Sequence, residues 1–265
     1  MTQKIAIVGD AMTDIDVHLE LVKTMDGMPV YRDTMKTKRG GGAENVAVLC
    51  ESLGADVFLF RSDLSEKRRT YFPDGSVIRI DNDGHSRPSP AMIRAWKLDI
   101  EFSDPDVILV CDHAKGVVTS EVMEMLKSLG KPIYVDPCAK SDWDLFNGVD
   151  CISANEEEWK TDFDNVALSV HVAVNRRGGD GVEWDIEEPH SRGHVESICT
   201  KPVDTVGAGD QFLAVLAVLR ARGTDWPEAI RQANIAAGLQ CERRGIVPVT
   251  WDEIDAFSKT LQETA

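Results

Sequence analysis

Short apolar runs alternate with helical stretches along most of this chain of 265 residues. Six of these runs have the length and composition of buried strands, at 4–8, 57–60, 107–111, 132–136, 151–153 and 171–174. Strands that recur with helices between them form a mostly parallel sheet with helices on both faces. The alternation therefore predicts an α/β fold with three layers, in which one sheet lies between two layers of helices.

Helices are predicted where apolar residues recur at helical spacing and a helix-ending glycine follows. They cover 44–53, 120–129, the stretch after Asp210, 225–241 and a final stretch that begins with a capping box at 250–253. The helix after Asp210 is the most apolar of them. We therefore expect it at the centre of the fold.

Two segments, 15–38 and 61–80, do not follow the alternation. Polar and apolar residues alternate there with a period of two, as in 16–22 and 77–80, which is typical of half-exposed strands. We predict that the two segments form a small separate β layer, or lid, beside the main sheet.

Polar side chains follow the predicted strands at the ends that meet at the carboxyl edge of the sheet. They are Asp10, Asp112, Asp136, Asn155 and Asn175. Ligands of open α/β sheets bind at that edge. Each residue alone is also compatible with a loop cap, but five at one edge indicate a functional rim.

The sequence Asp-Thr-Val-Gly-Ala-Gly-Asp at 204–210 comes directly before the most apolar helix. Its two glycines allow a sharp turn, and the positive end of the helix favours an anion such as phosphate. A carboxylate at Asp210 would repel that anion unless it takes a proton from a hydroxyl group about to attack a phosphoryl group. An isolated motif of this kind is equally compatible with a glycine-rich turn in which Asp210 caps the helix.

The formal charge of −16 and the pI of about 4.8 argue against nucleic acid or an anionic membrane as a partner. The six cysteines are widely spaced and lack the pattern of a zinc site. No signal peptide and no apolar run of about 20 residues is visible. We predict a cytoplasmic protein whose residues 1–265 form one domain.

Three motifs together resemble the ribokinase-like (PfkB-type) carbohydrate kinases. They are Lys-Arg-Gly-Gly-Gly-Ala-Glu-Asn-Val-Ala at 38–47, Asn-Glu-Glu-Glu at 155–158, and the motif at 204–210. The resemblance covers nearly the whole chain. It implies a ribokinase-like fold and an ATP-dependent, Mg²⁺-dependent transfer of a phosphoryl group to a small-molecule sugar or sugar phosphate.

The resemblance also implies roles for the residues at these motifs. Asp210 would be the catalytic base, and the amides of Gly207, Ala208 and Gly209 would hold the transferred group. Residues expected to bind the sugar are Asp10, Asp14, Gly41, Gly42 and Asn45. For Asp10 a loop cap, and for the glycines a tight turn, remain the alternatives.

On the nucleotide side, Asn155 and Glu158 would act near Mg²⁺ and the ATP phosphates, through water. For Glu158 the alternative is an exposed acid at a helix start, beside Glu156 and Glu157. Further residues expected to bind the nucleotide are Asn175, Arg176, Gly178, Asn234 and Ala237. Asn175 stands where the family has a hydroxyl residue. Packing within a helix is the alternative for Asn234 and Ala237.

Within the family, the chain most resembles kinases that phosphorylate heptose 7-phosphate at C1. The features include Val-Gly-Asp-Ala-Met-Thr-Asp at 8–14 and Cys-Asp-His-Ala-Lys-Gly at 111–116. Arg79 and Lys115 would then bind the phosphate of the sugar, unless they are solvated surface cations. A kinase for another sugar or a nucleoside, and a non-catalytic binding homologue, are the alternatives.

The chain departs from the family after Phe60, because only about twenty residues separate it from Ile80. Relatives usually have a Gly-Asp-x-x-Gly segment, a further helix and more lid strands there. The departure implies a shortened lid. Because family members often dimerise through the lid, a homodimer formed in this way is one expected assembly.

Overall fold

Two β-sheets organise the part of the chain that this computed structural model describes, residues 2–61, 65–82, 84, 87–159 and 169–264. The strands in chain order are β1 (Lys4–Gly9), β2 (Ala11–Met25), β3 (Met28–Gly42), β4 (Asp56–Phe60), β5 (Ser65–Tyr71), β6 (Val77–Asn82), β7 (Val107–Cys111), β8 (Ile133–Asp136), β9 (Cys151–Asn155), β10 (Val172–Arg176), β11 (Val182–Ile186) and β12 (Ser191–Val195).

The larger sheet has eight strands in the order β12-β11-β10-β9-β8-β7-β1-β4. Six neighbouring strands pair in parallel, namely β4, β1, β7, β8, β9 and β10. Strands β11 and β12 are added at one edge in antiparallel orientation. The prediction of a mostly parallel sheet is confirmed. The sequence did not predict β11 and β12, because their mixed polar and apolar residues give only a weak strand pattern.

Helices lie on both faces of this sheet. They are α1 (Ala43–Ser52), α2 (Pro90–Ser103), α3 (Ser120–Lys127), α4 (Glu156–Trp159), α5 (Ala208–Ala221), α6 (Trp226–Cys241) and α7 (Trp251–Thr264). Alternate residues of β1 point to opposite faces: Ile5 and Ile7 belong to the core that contains α1, α5 and α6, whereas Ala6 and Val8 belong to the core that contains α2 and α3. Three layers are therefore present, as predicted. None of the described helices has both the length and the apolar composition needed to cross a bilayer.

Helix α5 is the most deeply placed helix of the fold. All of its residues from Gln211 to Leu219 are buried. A helix without an exposed face must be apolar all round, which is the pattern that the sequence shows. The prediction of a central helix after Asp210 is confirmed, and this burial fixes the position of the turn in front of it.

Helix α2 was not predicted, although its sequence carries the necessary signals. The Ser89 hydroxyl accepts a hydrogen bond from the Met92 amide at 3.2 Å, and Pro90 occupies the first turn. Trp96 and Ile100, four residues apart, are buried against the sheet. The helix connects β6 to β7, so the shortened region after β4 still leads into a helix.

The smaller sheet contains the segments that were predicted to form a separate β layer. Its strand order is β3-β2-β5-β6, and residues 62–64 of the predicted lid lie outside the described part of the chain. One face is charged: Asp14 lies opposite Arg39 and Lys67, and Asp16 is 3.6 Å from Arg69. Strands are thus confirmed in both segments, while the role of a lid stays a prediction.

Candidate active site

A cavity of about 390 Å³ lies between the carboxyl edge of the large sheet and the first turn of α5. This volume is in the range of small-molecule binding sites. Among the predicted site residues, those that line the cavity are Asn155, Glu158, Arg176, Gly178, Gly207, Ala208, Gly209, Asp210, Asn234 and Ala237. The structure thus gathers the two glycine-containing turns and the Asn-x-x-Glu motif around one space.

The backbone turn at 207–209, which we call the anion corner, leads into α5. Gly207 has φ 81°, a left-handed conformation that strongly favours glycine, and a Cβ there would lie 2.7 Å from Ile246. The Ala208 amide donates a hydrogen bond to the Thr205 backbone oxygen at 3.3 Å. An anion at this helix start would therefore meet the amides of Gly207 and Gly209 directly, and that of Ala208 in exchange for this bond. Backbone geometry and crowding both require glycine at this position.

Asp210 lies in the first turn of α5, beside the anion corner. Its Oδ2 accepts a hydrogen bond at 3.1 Å from Asn45 Nδ2, which comes from α1. Burial and, after it, the negative charge of Asp136 raise the pKa of Asp210 to about 6, against the effects of His113, Asn45 and Arg176. The carboxyl group is therefore poised to exchange a proton near neutral pH.

Arg176 ends β10, and its guanidinium is buried between two carboxylates. Nη2 donates hydrogen bonds to Asp136 Oδ1 at 2.7 Å and to Glu158 Oε2 at 3.2 Å. Burial by itself would lower the pKa of Arg176, but the negative charges of Asp136 and Glu158 have the larger combined effect, so the pKa is raised. A Cβ on Gly209 would collide with Nη1, so the guanidinium also lies against the anion corner.

Asn155 and Glu158 cap the start of α4 reciprocally. The Asn155 amide donates to Glu158 Oε2 at 2.8 Å, and the Glu158 amide donates to Asn155 Oδ1 at 3.0 Å. Burial raises the pKa of Glu158, although Arg176 opposes the shift. The two bonds fix both side chains at the wall of the cavity, where oxygen ligands suit Mg²⁺.

The remaining predicted nucleotide residues differ in their surroundings. Gly178 and Ala237 are part of the cavity wall. Asn234 lines it too, but its amide group donates to the backbone oxygen of Glu196 at 2.8 Å, which fixes α6 to the chain after β12. Asn175 is not among the lining residues; it is buried, and its Oδ1 has no hydrogen-bond partner among the described residues.

Asp10 organises the loop after β7. Its two carboxylate oxygens accept hydrogen bonds from the amides of His113, Lys115 and Val117 at 2.8–3.0 Å. The side chain is 1% exposed. These contacts favour the alternative that the sequence left open for Asp10, a cap of the loop at 113–117.

Asp14 and the glycines at the end of β3 lie together. A Cβ on Gly41 would lie 3.2 Å from Asp14 Oδ2, and Gly42, with φ 59°, makes the turn into α1. Asp14 is buried, and its Oδ1 has no hydrogen-bond partner among the described residues, with Arg69 Nη1 at 4.0 Å. A buried carboxylate of this kind is suited to bind hydroxyl groups of a ligand.

Three cations, Lys67, Arg79 and Lys115, lie near one another and form what we call the cation cluster. Lys67 of β5 is opposite Asp14 on one side and Asp81 on the other, and Asp81 receives two hydrogen bonds from Arg79 at 2.7–2.8 Å. Burial lowers the pKa of Lys67; Asp14 opposes this shift, while Arg79 and Lys115 add to it. An anion bound here would be stabilised by all three charges.

Sequence reasoning missed two residues that the structure places near the predicted site residues. Lys67 was not singled out, although it alternates with Arg69 and Tyr71 on a strand and therefore shares their face. Asp136 was recognised only as a polar residue at the sheet edge, without its ion pair to Arg176. The alternation of residues along the strand could have indicated Lys67. The ion pair of Asp136 could not have been predicted, because Arg176 is 40 residues away in the sequence.

Comparisons with known sequences find carbohydrate kinases and related proteins. The profile of the pfkB family of carbohydrate kinases matches residues 100–252. A D-beta-D-heptose 7-phosphate kinase of Bordetella bronchiseptica is 27% identical over 95% of this chain and 95% of its own length. The bifunctional protein HldE of Campylobacter jejuni subsp. doylei is 28% identical over 97% of this chain, which spans 65% of that relative.

Solved structures with the same fold include kinases of small molecules. Ribokinase of Arabidopsis thaliana, solved with ribose and ATP, has a TM-score of 0.74 at 18% identity, covering 98% of this chain and 99% of its own. Phosphofructokinase-2 of Escherichia coli, solved with potassium, has a TM-score of 0.78 at 14% identity, covering 99% of this chain and 100% of its own. The predicted ribokinase-like fold is confirmed.

Proposed function

Because this chain belongs to the pfkB family of carbohydrate kinases, we propose that it transfers the γ-phosphoryl group of ATP to a sugar phosphate, at C1 of heptose 7-phosphate. The observation that carries the proposal is the position of Asp210. Its carboxyl group, with a raised pKa, lies beside the anion corner and on the wall of the cavity. A base next to phosphate-binding amides is the arrangement that phosphoryl transfer to a hydroxyl group requires.

In the proposed reaction, Asp210 accepts the proton of the acceptor hydroxyl. The hydroxyl oxygen forms a bond to the γ-phosphorus, and the bond from that phosphorus to the β–γ bridging oxygen breaks, so that ADP leaves. The amides of Gly207, Ala208 and Gly209 stabilise the charge on the transferred group. Asn45 holds the carboxylate in place through its hydrogen bond.

The residues around the cavity fit ATP and Mg²⁺. The anion corner depends on its two glycines, since a Cβ on Gly207 or Gly209 would overlap Ile246 or Arg176 and displace the amides that would meet a phosphate. Among the described residues no three acidic, histidine or cysteine side chains form a metal cluster, which suits an ion held largely by water and phosphate. Asn155 and Glu158 would hold Mg²⁺, which neutralises phosphate charge when bound.

The acceptor is proposed to lie between Asp14 and the cation cluster. Asp14 and the glycine pair at 41–42 would bind the sugar hydroxyls, and the small sheet would act as the lid. The cation cluster supports a phosphorylated acceptor, because Arg79 is fixed by Asp81 and Lys67 is drawn into a half-buried position. The relative from Bordetella, whose printed name is a heptose 7-phosphate kinase, supports the same choice.

A panel of acceptors tests the proposed substrate. Release of ADP from ATP and Mg²⁺ is measured with heptose 7-phosphate, free heptose, other sugar phosphates and nucleosides. We expect the highest kcat/KM with heptose 7-phosphate, and phosphorus NMR should locate the new phosphate at C1. Preference for a free sugar or a nucleoside by tenfold or more would overturn the substrate but not the family.

Replacing Lys67 tests the cation cluster. Lys67→Met should lower kcat/KM for the phosphorylated acceptor by about 10- to 100-fold, because a hydrogen bond to a charged group is worth roughly 1.5–3 kcal/mol. The value for the free sugar should stay within about threefold. Lys36→Met, at an exposed lysine of the same sheet, is the control. An unchanged preference for the phosphorylated acceptor would remove Lys67 from this role.

The pH dependence of kcat/KM tests the base, because this quantity reports the ionisations of the free enzyme. Because the pKa of Asp210 is raised to about 6, the active carboxylate is lost as pH falls below that value, and kcat/KM at pH 5 should be about tenfold below its plateau. The phosphate of the acceptor also titrates near pH 6, so the profile is measured with free heptose as well. Constant kcat/KM from pH 8 to pH 5 with both acceptors would contradict the assignment.

A further inference from the structure

We propose that Arg176 is a catalytic residue whose guanidinium contacts the phosphoryl group while it is transferred. This inference rests on the proposed kinase function and adds to it a cationic contact from the end of β10, beside the anion corner. The ligand chemistry is a phosphoryl group with developing negative charge.

The position of Arg176 is the first support. Its guanidinium packs against Gly209, one of the three residues of the anion corner, with Nη1 as the nearest atom to a Cβ built there. Asp210, the proposed base, is close enough to affect the charge of Arg176. A group held by the amides of that corner would therefore lie within reach of the guanidinium as well.

The second support is the set of donors that Arg176 leaves unused. Within the described part of the chain, both of its hydrogen bonds are donated by Nη2, and none is donated by Nη1, the nitrogen that lies against Gly209. A guanidinium has five N–H donors in a planar fork that matches the oxygens of a phosphate. A phosphoryl oxygen at the anion corner would accept from Nη1.

The two carboxylates explain why the cation stays in place. Asp136 and Glu158 come from the ends of β8 and the start of α4, and both accept from the same nitrogen. They hold the guanidinium at Nη2, while Nη1 faces the anion corner. Arg177, the next residue, is bound instead by Glu156 at 3.1 Å and Glu183 at 2.5 Å, away from the cavity wall.

In the transfer step, the acceptor oxygen forms its bond to the γ-phosphorus as the bond to the leaving oxygen of ADP breaks, and the acceptor proton goes to Asp210. Arg176 forms no covalent bond and gives up no proton. Its charge stabilises the phosphoryl oxygens most strongly at the transition state, so its removal should affect kcat more than nucleotide binding.

The test compares Arg176→Met with Arg177→Met. We expect Arg176→Met to lower kcat by about 10²- to 10³-fold, while Kd for Mg·ADP, measured by calorimetry, stays within about threefold. Binding of Mg·ADP with aluminium fluoride and acceptor, which imitates the group in transfer, should weaken by a factor similar to the loss of kcat. Arg177→Met should match the wild type in all three measurements.

A second variant covers the case in which Arg176→Met does not fold, since it leaves two buried carboxylates without their cation. Arg176→Met combined with Asp136→Asn restores the balance of charge, and the same three measurements apply. Equal weakening of Mg·ADP and of the aluminium fluoride complex, or a loss of kcat below tenfold, would overturn the inference. Failure of the wild-type protein to phosphorylate any acceptor would instead overturn the proposed function.

Discussion

Asp210→Asn should lower kcat by about 10³-fold while the protein still folds and binds Mg·ADP. The magnitude follows from the usual contribution of a positioned general base, about 10²- to 10⁴-fold. Asn keeps the shape of the side chain and can still contact Asn45, but it cannot accept the acceptor proton. Single-turnover release of ADP, together with calorimetric binding of Mg·ADP, separates the chemical step from nucleotide affinity.

The same variant should be at least as stable as the wild type above pH 6. In the folded protein the pKa of Asp210 is raised to about 6, whereas in the unfolded chain it is about 3.9. The free energy of unfolding of the wild type therefore falls as pH rises from about 4 to about 6, because only the unfolded chain is then ionised. Asn is neutral at every pH, so the variant does not lose this part of the free energy of unfolding. Thermal unfolding of both proteins at pH 4 and pH 8 would detect the difference.

Asp252→Asn is the matched control, since Asp252 is an exposed carboxylate in the first turn of α7. It should leave kcat within about twofold of the wild type. If Asp210→Asn retained a tenth or more of the wild-type kcat, another group would have to be the base.

Gly207→Ala should lower kcat by about 10²- to 10³-fold, because the anion corner would have to move. Ala would lie 2.7 Å from Ile246 in a backbone conformation with φ 81°. Displacing one amide that stabilises a developing charge reduces kcat by about this factor. The strain of a left-handed alanine adds roughly 1 kcal/mol of destabilisation.

Gly223→Ala separates these two effects. Gly223 follows the other end of α5 with φ 86°, and a Cβ there has nothing within 4 Å. This variant should therefore lose about the same free energy of unfolding through backbone strain, yet keep its kcat. Denaturant unfolding and ADP release are measured for both variants. Equal loss of kcat in the two would mean that the effect of Gly207→Ala reflects stability and not the anion corner.

Much of the fold could be predicted from local pattern. The parallel strands, the central helix after Asp210 and the capping box at 250–253 depend on residues close in sequence. In the last case the Thr250 amide donates to Glu253 Oε2 at 2.9 Å. Helix α2 carried equally local signals and was overlooked. The hairpin of β11 and β12 was harder, because polar residues interrupt the apolar ones in both strands.

The candidate site likewise contains features that short motifs predict and contacts that only the folded chain shows. The glycines at 207–209 and the capping pair of Asn155 and Glu158 follow from short motifs, since their conformations depend on neighbouring residues. Asn45 and Asp210 are 165 residues apart, and no local pattern predicts their hydrogen bond. The loop role of Asp10 depends on amides more than 100 residues further along the chain.

The sequence alone determined that this chain forms a mostly parallel sheet between helices, with a turn suited to phosphate, because strand burial, helix periodicity and glycine conformations are properties of neighbouring residues. Only the tertiary structure decided which charges meet. Arg176 lies against Gly209 between two carboxylates, and Lys67 lies with Arg79 and Lys115, because the packing of sheet and helices brings distant strand ends together. The interaction of such charges depends on their separation and burial in space, which the order of residues does not contain.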